Sequence, residues 1–120
     1  MMHIDALRQD RRLVNEIDWS MTPEKAVDMY LEWGAGWTRG KDFVRGANES
    51  SLYFVIYDWE RPPQVTLLRR DSKGVEELAK VPVPEPLFAE AVREAGRRPG
   101  VGVHALNARL QDWLRERLAA

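Results

Sequence analysis

Leu52 to Tyr57 is the longest unbroken apolar run in the chain, six residues long. In an extended backbone, side chains alternate between faces. Leu52, Phe54 and Ile56 would point one way, and Tyr53, Val55 and Tyr57 the other. A strand apolar on both faces is predicted to be a central strand covered on each side, or covered on one side and aromatic on the other. The pattern predicts this strand over Ser51 to Asp58, broken by Trp59-Glu60-Arg61-Pro62-Pro63. Gln64 to Arg70 reads as a second strand, with Val65 and Leu67 on one face. Asp71-Ser72-Lys73-Gly74 reads as a tight turn, with glycine where a positive φ is needed. Val75 to Val81 returns as a third strand, with Glu76, Glu77 and Lys80 expected to be exposed. These three segments form an antiparallel meander.

Helical spacing governs the rest. Ile4, Leu7, Val14 and Ile17, with Leu13 beside them, suit a helix with one apolar stripe. Arg8, Arg11 and Arg12 would lie on its solvated side. Thr22-Pro23-Glu24 supplies a capping hydroxyl, a proline at the first helical position and an acid in the first turn. A second helix is predicted from Pro23 to about Trp33, with Gly34 at its C-terminal cap. A third is predicted from Glu85 to Ala95 on the stripe Leu87, Phe88, Ala91, Val92 and Ala95, capped by Gly96. A fourth is predicted from Val103 to Leu118, with Leu106, Leu110, Trp113 and Leu114 apolar. The expected fold class is therefore α+β: a three-stranded antiparallel meander sheet flanked by four helices, in the order α-α-β-β-β-α-α. With 120 residues and no internal linker, one domain over 1–120 is expected.

Composition narrows the function classes. There is no cysteine, which excludes disulfides, thiolate metal sites and cysteine nucleophiles. A net charge of −1 argues against a dedicated nucleic-acid binder. No apolar run approaches the ~20 residues of a spanning helix, and the N-terminus lacks the pattern of a signal peptide. A cytoplasmic protein without membrane association is expected. Trp19 through Val27 and on to Glu32-Trp33-Gly34 resembles small bacterial proteins of uncharacterised function. The resemblance covers the second helix only; it implies no activity and carries over no functional residue.

Candidate chemistry is sparse. The two histidines, His3 and His104, have no second histidine at ligand spacing, so no metal site and no cofactor are expected. His104 would begin the fourth helix and make one hydrogen bond. Asp58 and Glu60 would share a side if the first strand continued, and two carboxylates there could serve acid–base work. Their neighbourhood to Pro62-Pro63 reads more simply as a turn. No catalytic residue is assigned.

Nine of the eleven aromatic residues fall between Trp19 and Trp59. Within that span, Trp33, Trp37 and Phe43 are interleaved with Arg39, Lys41 and Arg45 in a glycine-rich loop. Glycines let backbone N–H groups approach an anion, and arginine offers a planar fork. The loop matches neither the Walker A pattern nor the dinucleotide fingerprint. The plainer alternative has the two indoles folded back on the sheet and the cations in solvent. Trp59 and Arg61 mark a second candidate surface, because Trp and Arg are enriched at interface hot spots. The favoured expectation is a small non-catalytic protein acting by binding to another protein or to itself. The alternatives are a site for a small anionic or aromatic metabolite at Trp33, Trp37, Arg39, Lys41 and Arg45, and third an enzyme using Asp58 and Glu60.

Overall fold

The computed structural model describes residues 1–20, 51–71, 74–95 and 102–119. The predicted helix from Pro23 to Trp33 and the glycine loop after it lie outside these residues, as do Gly96 and the connector up to Val101.

Three strands follow the alternation read from the sequence: β1 (Ser51–Tyr57), β2 (Gln64–Asp71) and β3 (Gly74–Pro82). They pair as an antiparallel meander, with Phe54 opposite Leu67 and Val65 opposite Val81. The register of β2 and β3 shifts between Leu67 and Leu68, where Leu67 faces Ala79 but Leu68 faces Glu77. One extra residue on β3 at that point is a bulge, which increases the local twist.

The sheet has a fourth strand, β4 (Val103–Ala105), and the order is β3-β2-β1-β4. This corrects the three-stranded expectation while keeping the α+β class. Val103 was expected to begin a helix; instead Val103, His104 and Ala105 pair with Tyr57, Ile56 and Val55. Three residues are too few to show a period, and the open edge of β1 supplies the backbone partners that decide their state.

Four helices are described: α1 (Ile4–Gln9), α2 (Arg11–Glu16), α3 (Glu85–Ala95) and α4 (Ala108–Leu118). The first predicted helix is thus two short ones. Asp10 separates them, because its side chain accepts the Leu13 N–H at 3.1 Å and starts a new helix. Asn107 does the same for α4, accepting the Leu110 N–H at 2.9 Å. The α3 bounds agree with the sequence reading.

All four helices lie on one side of the sheet. Leu7, Leu13, Phe88, Ala91, Leu110, Leu114 and Leu118 pack with Leu52, Phe54, Ile56, Val65, Leu67 and Val81. Each large side chain buried here contributes roughly 1.5–3 kcal/mol of transfer free energy. Tyr53, Val55, Tyr57, Leu68 and Val103 form a separate buried cluster on the other face. Both faces of β1 are therefore buried, the first of the two arrangements that its two-sided apolar pattern allows.

The sheet edges are blunted. Met2 bridges to Ala79 along the outside of β3, and Ile17 bridges to Leu52 beside β4 on the outer side of β1. Backbone groups left open there would otherwise recruit another chain. Among the described residues, no helix is long and apolar enough to cross a membrane.

Candidate functional site

The corner after β1 gathers the site residues that the structure describes. The strand stops at Tyr57, and Glu60 N–H donates back to the Tyr57 carbonyl at 3.1 Å, closing a turn. The Arg61 guanidinium donates to the carbonyls of Glu60 at 2.7 Å and Asp58 at 3.3 Å. The Asp58 N–H donates to the Gly102 carbonyl at 2.9 Å, tying the turn to the start of β4. Arg61 also lies over the Phe88 ring of α3, 5.6 Å from its centroid. The turn is thus held at several points by backbone and side-chain donors.

Trp59 stands on this frame with 60% of its surface exposed. Its ring stacks on Tyr57, with centroids 5.0 Å apart and planes 4° from parallel. Gly102 lies close against the indole. A Cβ added at Gly102 would overlap the indole and come within 3.2 Å of an Asp58 carboxylate oxygen. Trp59 and Arg61, two of the candidate contact residues, are both exposed at this corner. Trp33, Trp37, Arg39, Lys41 and Arg45 lie outside the described residues. The other two tryptophans are half-buried: Trp19 packs near Phe54 at 5.8 Å between centroids, under the Arg115 guanidinium, and Trp113 lies beneath Arg117.

Asp58 and Glu60 go to different partners. Asp58 Oδ2 meets His104 Nε2 at 3.0 Å, whereas Glu60 Oε2 meets Lys80 Nζ at 2.7 Å. Because the strand does not continue past Tyr57, alternation does not place the two carboxylates on one face. His104 is 4% exposed and sits in β4 rather than in a helix. It does make the one hydrogen bond foreseen for it, but across 46 positions of sequence.

Sequence reasoning also missed a polar cluster behind the corner. Glu77 and Lys80, expected in solvent, are half-buried. Register explains it: Glu77 faces Leu68 and Lys80 faces Thr66, on the face that carries Tyr57. The Tyr57 hydroxyl donates to Glu77 Oε2 at 2.6 Å. Lys80 donates to Glu60 and to the Thr66 hydroxyl at 3.2 Å, and its ammonium lies 5.0 Å from the Tyr57 ring centroid. The only signal available was strand alternation, which pairs Glu77 and Lys80 with buried neighbours once the register and its bulge are known.

Burial, and then the hydrogen bond and negative charge of Glu77, hold the Tyr57 hydroxyl protonated well above the usual tyrosine range. A raised folded-state pKa contributes stability that is intact below about pH 10, the unfolded-state value. That contribution is lost as pH rises further, because the unfolded chain releases the proton first. Tyr57→Phe removes the ionisation. The chemical-denaturation midpoint of the wild type is expected to fall more steeply above pH 10 than that of Tyr57→Phe. Parallel profiles would show that the hydroxyl is not held protonated by the fold.

Among the described residues, no group of three or more acidic or imidazole side chains could hold a metal ion. The arrangement offers three things: a rigidly mounted exposed indole, a charge network behind it, and an oriented imidazole beside it. The chain matches no protein-family model, no curated protein and no solved structure in these comparisons.

Proposed function

We propose that the protein acts by binding another protein or a second copy of itself, without catalysing a reaction, and that the Trp59–Arg61 corner is the contact point. The observation that carries this reading is the state of Trp59. A large apolar ring, 60% exposed, is nonetheless fixed by a parallel stack on Tyr57 and by the close approach of Gly102. An anchor already ordered in the free protein loses little side-chain entropy on docking. Arg61, exposed beside it, adds a planar donor at the rim. The lack of cysteine fits a cytoplasmic setting.

The test compares wild type with Trp59→Ala in two measurements. Light scattering after size exclusion, over a concentration series, reads self-association. Capture from native lysate, run side by side, reads a heterologous partner. One of the two contacts is expected in the wild type and is expected to weaken by roughly thirtyfold in the variant, the loss of a hot-spot residue. Gly102→Ala should give the same direction by displacing the indole without removing it. A wild type that stays monomeric and captures nothing that Trp59→Ala fails to capture would overturn the reading.

A further inference from the structure

A cavity of about 270 Å³ lies between the last turn of α3 and β4. Ala91, Ala95 and Leu106 give it apolar walls, and His104, Glu94 and Asn107 supply its polar groups. It is separate in character from the Trp59 corner, although His104 reaches that corner through Asp58. Its size is near the lower end of ligand pockets, which run from ~300 Å³, so it suits a compact molecule rather than a nucleotide.

The polar groups agree in sign. Asp58, as a carboxylate, can only accept, so the His104 Nε2 that meets it is the donor. A neutral imidazole protonated at Nε2 carries a lone pair at Nδ1. Among the described residues, nothing hydrogen-bonds the His104 side chain apart from Asp58. His104 is 4% exposed and lines the cavity, which leaves Nδ1 as an acceptor available to an occupant. Glu94 adds an exposed carboxylate on which no described residue places a hydrogen bond or ion pair. The cavity also adjoins the C-terminal turn of α3, the negative end of that helix. Asn107 has its oxygen engaged by the Leu110 N–H. Among the described residues, no lysine or arginine lines the cavity.

We propose that this cavity is a binding site for a small ammonium compound with a short hydrocarbon part. The ammonium group donates to His104 Nδ1 and to the Glu94 carboxylate, and the hydrocarbon lies against Ala91, Ala95 and Leu106. Asp58 is a positioning residue: its hydrogen bond fixes the imidazole tautomer that presents a lone pair to the cavity.

The test titrates the full chain, labelled with nitrogen-15, with butylammonium, and with butyrate and butanol as matched controls. The imidazole nitrogens of His104 and the amides of Ala91, Ala95 and Leu106 are followed by NMR. Butylammonium is expected to give saturable shifts at these positions, with butyrate and butanol far weaker. Glu94→Gln changes an exposed side chain, so the fold should persist, and butylammonium binding is expected to fall by about tenfold, the loss of a charge-assisted hydrogen bond. Ala95→Leu, which fills the cavity, should abolish the shifts. Shifts that do not saturate, equal binding of butyrate, or undiminished binding by Ala95→Leu would each overturn the site.

Discussion

Lys80→Met is expected to lower the unfolding free energy by about 3 kcal/mol, in the range seen when one partner of a buried ion pair is removed. Lys80 and Glu60 are only 21% and 15% exposed at their side chains. Methionine matches the length of the lysine stem, so packing changes little. What changes is the partner of Glu60. Its Oε2 loses the ammonium at 2.7 Å, and its Oε1 already has no hydrogen-bond partner. The Thr66 hydroxyl, on a fully buried residue, loses its lysine donor as well. A carboxylate left in that position keeps its desolvation cost and loses its compensation. The double variant Lys80→Met with Glu60→Gln removes the charge itself and should recover most of the loss. Urea denaturation of the two single variants and the double variant measures the coupling. If the two single losses simply add in the double variant, the pair is not an interacting unit.

Phe88→Ala should cost more, about 3–5 kcal/mol, because it combines lost apolar transfer with an unfilled cavity. Phe88 is buried on α3 among the residues that join helices to sheet. Its backbone N–H donates to the Pro84 carbonyl in the first turn, so the residue also marks where α3 docks. The ring carries a second consequence, since Arg61 lies over it at 5.6 Å. Removing the ring should loosen Arg61 and with it the turn that supports Trp59. Thermal unfolding reads the first effect, and tryptophan emission below the transition reads the second. A loss under about 1 kcal/mol would mean that neighbouring side chains collapse into the space.

The two variants probe opposite faces of one sheet, and the sequence disclosed those faces unequally. The helix-covered face was legible. Phe54, Leu67 and Val81 alternate with a period of two, and α3 repeats with helical spacing. The opposite face was half-legible: Tyr53, Val55 and Tyr57 announced it, but Glu77 and Lys80 read as solvent residues. Charge in a strand ordinarily marks exposure. Here the two charges satisfy one another's neighbours, Tyr57 and Glu60, and so tolerate partial burial.

The ends of elements were the weaker readings. Asp10 and Asn107 each carried a capping signal in plain view. Each was overridden by an apolar stripe that ran through it, in one case merging two helices and in the other merging a strand with a helix. Of the proposed contact residues, Trp59 and Arg61 were singled out by their types and their place beside two prolines. The orientation of Trp59 depends on Gly102, 43 positions later, and no local pattern encodes that approach.

By itself the sequence determined the α+β class, the meander of β1, β2 and β3, the bounds of α3 and the apolar character of both faces of β1. These follow from periodicity, which is a property of neighbouring residues. Only the tertiary structure decided that Val103 to Ala105 form a strand, that His104 meets Asp58, and that Lys80 meets Glu60. The reason is physical. A three-residue strand takes its hydrogen bonds from a distant edge, and a buried polar group takes whichever partner the folded chain brings within about 3 Å.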